Sequence, residues 1–400
     1  MLKIKQPPKD LPLNHILPSE PLLLMGAGPV PIPYQVAKAN GVVINHLGST
    51  MNSVISRVKE MSKYAFQTES NHILGISGPA SAAVEMAVSN LLGTGKKVLV
   101  LNQGTFSGRF AEMAERVGTD VTMIKNDDIR PFTLEEVKAA YKKSDFDVLT
   151  IVQGETSCGV KNIHLEEIAK FAKSKGSLVF VDAVCTLSTM PLMMDEWGLD
   201  AVITGGQKGL SSIPGVSLIA FSNEAWEKIE KRDKKPTHWC VDALLADRFW
   251  SQQQYHYTAP VPGVLAIHEA LRLICKETLE KRFERHLTSS TALQSAIEAM
   301  GLKLFVPKEF RLNSVVAIEK PEEIKTGEFI DHMIQKYHVE ISGAFGRSIV
   351  RIGQMGEQCR SENLFKVIYA TGMTFRHFGQ KINLAEGMAE LESSLEKLEY

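Results

Sequence analysis

The stretches Val-Phe-Val-Asp-Ala-Val-Cys (179–185) and Val-Ile-Thr-Gly-Gly-Gln-Lys-Gly (202–209) decide the fold of this chain. Each begins with a short apolar, largely β-branched run, which predicts a buried strand. The first strand ends in the acid Asp182, and the second ends in a glycine-rich turn that carries Lys208. Open α/β sheets bind ligands at the carboxyl ends of their strands, so both side chains are predicted at a binding edge.

Similar apolar runs alternate with helical patterns on either side of these two stretches. The predicted strands lie at 97–102, 119–124, 147–152, 177–182, 199–204 and 215–221. The predicted helices lie at 81–92, 107–117, 133–143 and 164–175. This alternation predicts an α/β fold with a mainly parallel sheet that is covered by helices.

The pattern changes after Pro262, where a long helical stretch is predicted to run roughly to Met300. Shorter strands and further helices are predicted beyond it, at 314–318, 326–337, 349–352, 361–376 and 384–398. A chain of 400 residues is too long for one compact core. We therefore expect an arm at 1–25, a large domain at 26–275 and a smaller C-terminal α+β domain at 276–400. The proline-rich arm is predicted to extend over the surface or over a partner subunit.

The composition and charge of the chain limit its expected partners and location. The charge is nearly balanced, with 45 basic and 46 acidic residues, and no basic stretch is long enough to favour nucleic acid or an anionic membrane as partner. Five cysteines without metal-ligand spacing predict reduced thiols, a cytoplasmic location and no metal site. The N-terminus lacks the apolar core of a signal peptide, and no apolar run reaches membrane-spanning length.

The pair Asp182 and Lys208 suggests pyridoxal phosphate chemistry, because a lysine amine holds that cofactor as a Schiff base and an acid commonly faces its ring nitrogen. Each residue alone has an ordinary alternative, a turn or cap aspartate and a solvated lysine. The small-residue stretch 76–86 adds a helix start that suits a phosphate, with Ser81 as a candidate N-cap and hydroxyl donor. All three features are predicted at the same edge of one sheet.

With these motifs together, the chain resembles the class V aminotransferases of fold type I, in the alanine–glyoxylate and serine–pyruvate branch. The resemblance runs from residue 26 to residue 356. It is most specific at Gly-Glu-Thr-Ser-Cys-Gly-Val (154–160), Val-Asp-Ala-Val (181–184), Gly-Gln-Lys-Gly (206–209), Tyr-His-Tyr-Thr-Ala-Pro-Val (255–261) and Val-Arg-Ile-Gly (350–353). It implies a large domain with a mainly parallel seven-stranded sheet and a smaller C-terminal domain.

The resemblance also implies roles at the cofactor ring. Lys208 would form the Schiff base with pyridoxal 5'-phosphate and then move a proton at the substrate α-carbon. Asp182 would keep the ring nitrogen protonated. Phe106 matches a position where relatives often stack tryptophan on the ring, although it could also be an ordinary core residue. Ser157 matches a serine beside the cofactor and the substrate carboxylate.

For the phosphate, the resemblance points to Gln207 and to the turn formed by Pro79, Ala80 and Ser81. Proline has no N–H, so donation would fall to the other residues of that turn. In the family, a tyrosine and a threonine in the segment that holds Tyr255 and Thr258 reach the phosphate of the neighbouring subunit. The resemblance thus implies a homodimer with shared active sites.

For the substrate, the resemblance assigns Arg351 to the α-carboxylate, because an arginine fork binds a carboxylate bidentately. Arg347 is left undecided between a second acidic group and water. Asn45 stands roughly where alanine–glyoxylate enzymes use glycine, so it is a candidate contact to a longer or more polar donor.

The implied reaction is a ping-pong transfer of an amino group from alanine or serine to glyoxylate or pyruvate. Ureidoglycine–glyoxylate and pyridoxamine–pyruvate exchange remain sibling alternatives, the latter disfavoured by the serine at the phosphate turn. A cysteine desulfurase or lyase of the same fold is a more distant alternative, since it needs a mobile, reactive thiol. A non-catalytic protein on this scaffold is the last alternative.

Overall fold

The computed structural model describes residues 4–126 and 129–396. Its helices are α1 Tyr34–Asn40, α2 Ser49–Phe66, α3 Ala80–Leu91, α4 Thr105–Arg116, α5 Leu134–Tyr141, α6 Leu165–Ser174, α7 Asn223–Glu230, α8 Ala243–Trp250, α9 Val261–Glu277, α10 Leu279–Ala299, α11 Thr326–Tyr337, α12 Ser361–His377 and α13 Leu384–Glu396. Its strands are β1 Leu23–Leu24, β2 Ile73–Gly78, β3 Lys97–Asn102, β4 Asp120–Lys125, β5 Val148–Val152, β6 Gly154–Glu155, β7 Val160–Lys161, β8 Leu178–Asp182, β9 Ala201–Gly205, β10 Gly215–Phe221, β11 Val315–Glu319, β12 Val339–Glu340, β13 Ser342–Ala344 and β14 Arg347–Gly353.

A seven-stranded sheet forms the centre of the fold, in the order β2-β10-β9-β8-β5-β3-β4. Strand β10 runs antiparallel to both of its neighbours, and the remaining pairs are parallel. The strands β5, β8 and β9 lie side by side, with Asp182 paired to Val152 on one side and to Ile203 on the other. The predicted fold class, α/β with a mainly parallel sheet, is confirmed.

Six of the seven strands were predicted within two residues at each end, and β2 was not. Its sequence, Ile-Leu-Gly-Ile-Ser-Gly, is diluted by small residues that weaken the strand signal. The structure gives the reason for one of them. A Cβ on Gly75 would lie 2.0 Å from the Trp250 ring, so the indole covers this strand where a side chain would otherwise stand.

Apolar side chains form two main clusters. The larger takes members between Met51 and Leu279 and lies between the seven-stranded sheet and the helices packed on it. The smaller joins α10, α12 and α13 to the three-stranded sheet β11-β14-β13. Domain boundaries at 25/26 and 275/276 stay a prediction.

One predicted element needs correction. The long helix expected from Pro262 to Met300 is two helices, because Thr278 adopts a left-handed backbone (φ 71°) and starts α10 as its N-cap. In the arm expected at 1–25, residues 4–21 are exposed, and Leu23 and Leu24 pair in parallel with Val339 and Glu340.

The predicted ends of the chain fall partly outside the described residues. These are residues 1–3 of the arm and residues 397–398 of the last helix, whose described part ends at Glu396. Within the described ranges, no helix is both long and apolar enough to cross a membrane.

Candidate active site

One cavity of about 370 Å³ opens where β8 and β9 end, and it brings together most of the predicted cofactor residues. Seven of them line it: Pro79, Ala80, Ser81, Phe106, Asp182, Gln207 and Lys208. Asp182 is the last residue of β8, and Lys208 follows β9 by three residues. Because these strands are adjacent and parallel, their carboxyl ends meet at one edge, as the sequence predicted.

Asp182 contributes a carboxyl group to the cavity wall. Its Oδ1 accepts a hydrogen bond from Val184 N at 2.8 Å. Burial, with a smaller effect of the nearby Glu155 charge, raises the pKa of Asp182 to about 7, against the opposing effects of the Val184 hydrogen bond and of Lys208. A cation placed against this carboxyl group would therefore be bound favourably.

Lys208 reaches back to the N-terminal segment, where its Nζ donates to the carbonyl oxygen of Ala27. Burial lowers the pKa of Lys208 from its ordinary value, and the charge of Arg351 adds to that lowering. Gly28 makes room for the side chain: it adopts φ 102°, and a Cβ there would lie 2.6–2.8 Å from three Lys208 atoms. Sequence reasoning missed Gly28, although it lies inside the motif that opens the family resemblance.

The turn before α3 forms one end of the cavity. The N-cap is Pro79 and the helix begins at Ala80, so Ser81 lies in the first turn and not at the predicted N-cap position. First-turn N–H groups have no partner inside their helix, so the Ala80 and Ser81 amides are available for an anion. Across from them, the buried Oε1 of Gln207 has no hydrogen-bond partner.

The backbone N–H of Phe106 donates to the buried carboxylate of Glu155, a residue whose role sequence reasoning missed. Phe106 lies in the first turn of α4, where Glu155 accepts hydrogen bonds from the N–H groups of Phe106 (3.4 Å) and Ser107 (2.9 Å). The same carboxylate accepts from Ser157 Oγ at 2.6 Å. On the ring of Phe106, the Arg109 guanidinium carbon lies 4.8 Å from the centroid, and both residues line the cavity. The two-residue strand that carries Glu155 is too short to give a periodic signal.

Arg351 lies behind the cavity wall and is almost fully buried. Its Nη1 donates to the carbonyl oxygen of Thr156 at 2.5 Å, and its Nε donates to that of Gly343 at 2.8 Å, which also accepts from Nη2. A guanidinium has five N–H groups, so these three bonds leave two. Thr156 lines the cavity, so its carbonyl oxygen connects Arg351 to the cavity wall.

The undecided Arg347 packs on an aromatic ring. Its guanidinium carbon lies 5.3 Å from the centroid of Phe305.

Five predicted site residues do not line this cavity: Ser157 and Arg351 are buried, and Tyr255, Thr258 and Asn45 are on the surface. Tyr255 is 58% exposed, and Thr258 and Asn45 are exposed as well. The Asn45 side chain makes a local turn, in which its Oδ1 accepts from Leu47 N at 3.0 Å. The roles assigned to these five residues stay predictions.

Comparison with known proteins gives the family. The chain matches the Aminotransferase class-V family over residues 33–360. It is 33% identical to an alanine–glyoxylate aminotransferase of Oryctolagus cuniculus over 367 residues, which cover 90% of this chain and 93% of that protein.

Two solved structures show the same fold. A ureidoglycine–glyoxylate aminotransferase from Bacillus subtilis has a TM-score of 0.91 and 28% identity, covering 95% of this chain and 99% of that one. An alanine–glyoxylate aminotransferase from Nostoc sp. has a TM-score of 0.86 and 31% identity, covering 94% and 98%. The chain therefore belongs to the class V aminotransferase family and is a transaminase with the fold of the type I pyridoxal enzymes.

Proposed function

We propose that this transaminase moves the amino group of a small amino acid, alanine or serine, to glyoxylate or pyruvate in a ping-pong exchange. The similarity to alanine–glyoxylate aminotransferases supports the substrates. The observation that carries the chemistry is the placement of Asp182 and Lys208 on one cavity, with the buried Arg351 beside it.

The family implies pyridoxal 5'-phosphate, and the residues of the cavity fit that group. Asp182, whose pKa is raised by burial, would pair with the protonated ring nitrogen. The Ala80 and Ser81 amides, together with the side-chain NH₂ group of Gln207, would hold the phosphate. Lys208 Nζ would bond the cofactor covalently. When bound, the cofactor supplies an electron-withdrawing ring that accepts charge from the substrate α-carbon.

Lys208 would also carry the proton in this reaction. Burial lowers its pKa, which increases the share of the neutral amine that can act as a base. Its Nζ would take the proton from the substrate α-carbon and return it nearby, while Phe106 covers one face of the site. Asp182 would keep the ring nitrogen of the cofactor protonated, and so positively charged, while the proton is taken and returned.

Arg351 would bind and orient the substrate carboxylate with the two N–H groups that Thr156 and Gly343 leave free. The three bonds to backbone oxygens fix the plane of the guanidinium, so its approach to a carboxylate is preset. The Ser157 hydroxyl group donates to Glu155 and accepts from Thr105 N. Ser157 would therefore stabilise the residues that surround the site and also lie at its border.

We also propose the homodimer with shared sites. Tyr255 and Thr258 are exposed in the single chain, which leaves them accessible to a neighbouring subunit. The described part of the arm, residues 4–25, exposes five large aliphatic side chains, and burial against a second subunit would remove them from water. They are Ile4, Leu11, Leu13, Ile16 and Leu17. Five unpaired cysteines support a reducing, cytoplasmic compartment.

Ureidoglycine–glyoxylate exchange is the second candidate, favoured by the similarity to the Bacillus subtilis enzyme and by the polar Asn45. Pyridoxamine–pyruvate exchange is disfavoured by the phosphate-binding character of the Ser81 turn. Desulfurase chemistry is disfavoured by the thiols nearest the cavity, because burial raises the pKa of both Cys158 and Cys185 to about 12.

A spectral titration tests the proposal. The purified protein is loaded with pyridoxal phosphate, and the visible band of the lysine-bound cofactor is followed as alanine, serine, ureidoglycine or pyridoxamine is added. We expect alanine or serine to bleach the band, and glyoxylate or pyruvate to restore it. Bleaching by ureidoglycine alone would establish the second candidate instead.

The control variant is Lys208→Ala, which should bind the cofactor without the lysine-dependent band. If this variant keeps the band of the wild-type protein, the assignment of Lys208 is wrong. Release of sulfide from cysteine would move the chain to the desulfurase class.

A further inference from the structure

A buried charged network lies on α10 and on the last residue of α9, outside the cavity described above. It consists of Glu277, Arg282, Arg285 and His286, and we call it the α10 network. The Arg282 side chain is 4% exposed and His286 is fully buried. Burying charge is costly unless it is paired and hydrogen-bonded, so a network of this kind must hold specific partners.

Arg282 holds the turn that follows Lys208. Its Nη2 donates to the carbonyl oxygen of Gly209 at 2.8 Å and to Ser211 Oγ at 3.2 Å. Its Nε donates to Ser188 Oγ at 3.2 Å, and that hydroxyl donates in turn to Gly209 O at 2.8 Å. The turn itself is closed by Ser211 N donating to Lys208 O at 2.9 Å.

The backbone around Arg282 supports the same interpretation. Ser188 and Ser211 both adopt left-handed φ angles, 67° and 58°. Such conformations are unfavourable for serine and persist where the surroundings fix them. Here the guanidinium binds both hydroxyl groups, and Glu277 accepts from Arg282 Nη1 at 2.8 Å.

The other side of the network holds the segment that follows the Arg351 strand. Gly356 N donates to His286 Nε2 at 2.9 Å, and Arg285 Nη1 donates to Gly356 O at 2.8 Å. A backbone N–H can only donate, so His286 Nε2 is unprotonated and its Nδ1 donates to Arg282 O at 2.7 Å. Burial lowers the pKa of His286 well below its ordinary value, which agrees with a neutral ring.

The two sides also meet directly. Gly356 adopts φ 59°, and a Cβ there would lie 1.7 Å from Ser211 Oγ. Ser211 is three residues after Lys208, and Gly356 is five residues after Arg351. One helix therefore joins the turn of the lysine to the strand of the arginine.

We propose that Arg282 is a positioning residue which, with Glu277 and His286, fixes the Lys208 turn against the Arg351 strand and so sets the distance across which a substrate is held. This inference rests on the proposed roles of Lys208 and Arg351. Catalysis between two fixed groups is sensitive to their separation, and a misplacement of about 1 Å can cost roughly 100-fold in rate.

The test compares Arg282→Lys with a matched control, Arg232→Lys. Arg232 is also a mostly buried arginine in an ion pair, with Asp242 at 2.7 Å, and it also holds the side chain of Asn90. Lysine keeps the charge at either position but loses the fork that binds several acceptors. For Arg282→Lys we expect the lysine-bound cofactor band to remain, kcat to fall roughly 10- to 100-fold and the donor KM to rise.

Hydrogen exchange of the whole protein gives a readout that is independent of activity. In Arg282→Lys, exchange should accelerate both at 208–212 and at 354–359, whereas Arg232→Lys should leave both segments as in the wild type. The proposal is overturned if both variants lose similar thermal stability while kcat and the exchange of the two segments stay unchanged.

If Arg282→Lys does not fold, a second pair of variants tests the proposal. His286→Gln keeps an acceptor for Gly356 N, and His286→Leu removes it. We expect the glutamine variant to retain more activity and slower exchange at 354–359 than the leucine variant; equal behaviour would overturn the proposal. If only this proposal fails, the Lys208→Ala spectrum still shows the expected loss of the lysine-dependent band. If the proposed function fails, that spectrum changes as well.

Discussion

At the scale of single residues, Asp182 gives the sharpest expectation. Its carboxyl group should destabilise the cofactor-free protein at neutral pH and strengthen the binding of the cofactor. Its pKa is about 7 in the folded protein and about 3.9 when unfolded. Between these values the folded state binds more protons at Asp182, so the contribution of this residue to the free energy of unfolding of the cofactor-free protein falls as pH rises from about 4 to 7. The three-unit shift sets an upper bound of roughly 4 kcal/mol on this loss.

The variant Asp182→Asn has no such carboxyl group. Without cofactor, it should be more stable than the wild type at pH 8, with a difference that shrinks toward pH 5 in urea unfolding curves. With cofactor, it should bind pyridoxal phosphate more weakly than the wild type. A wild-type protein that gains stability relative to Asp182→Asn over the same pH range would contradict the assigned burial of this carboxyl group.

Gly28 is the second case at this scale. Alanine at this position would place a Cβ 2.6–2.8 Å from Lys208 side-chain atoms and would also strain a backbone at φ 102°. We expect Gly28→Ala to displace Lys208 and to reduce formation of the lysine-bound cofactor band at least roughly tenfold.

Gly176→Ala is the matched control for this change. Gly176 also has a left-handed φ, 82°, but its Cβ would meet nothing within 4 Å. It should cost about 1 kcal/mol of stability through backbone strain and leave the band unchanged. If both variants lost the band equally, strain and not contact with Lys208 would be the cause.

At the scale of elements, Glu155 connects the hairpin β6-β7 to the start of α4. It accepts from the N–H groups of Phe106 and Ser107, so it serves the helix start as a buried N-terminal cap. In Glu155→Gln, the amide would turn an NH₂ group toward these donors. We expect a loss of roughly 1–3 kcal/mol in the free energy of unfolding, together with weaker cofactor binding because Phe106 and Ser157 lose their support.

Glu136→Gln provides the comparison, since Glu136 caps α5 by accepting from Thr133 N at 2.8 Å. Arg130 holds the pKa of this carboxyl group at about 2. The variant should lose stability in urea unfolding without any change in the cofactor dissociation constant. Weaker cofactor binding in both variants would show that the effect of Glu155→Gln is not specific to the site.

The elements also show what the sequence could predict and why the rest escaped it. Asp182 and Lys208 end apolar strands whose periodicity is strong, so their shared edge could be predicted from the α/β pattern. Glu155 lies in a two-residue strand, and β2 contains a glycine that Trp250 requires, so neither gives a periodic signal. The break at Thr278 depends on a left-handed threonine, which no propensity scale favours.

At the scale of the molecule, the site draws on two apolar cores. Lys208 belongs to a turn on the seven-stranded sheet, and Arg351 belongs to the three-stranded sheet packed in the smaller cluster. Thr156 is one direct link, since it lines the cavity and accepts from Arg351. With the role proposed for Arg351, movement of one core against the other would change substrate binding before it disturbed the proposed cofactor residues at the ends of β8 and β9.

The shared active site can be tested by mixing two inactive variants of the whole molecule. Thr258→Glu would place a negative charge on an exposed side chain, so the fold should tolerate it, while repulsion should weaken phosphate binding in whichever subunit Thr258 reaches. In a mixed dimer with Lys208→Ala, a site built across subunits would contain either both defects or neither.

Random mixing after unfolding and refolding should thus restore roughly a quarter of wild-type activity, because about half of the dimers are mixed and each has one intact site. If Thr258 instead served its own subunit, every site in the mixture would carry one defect and no activity would return. The amount of mixed dimer, measured with a tag on one variant, separates that result from a failure to exchange subunits.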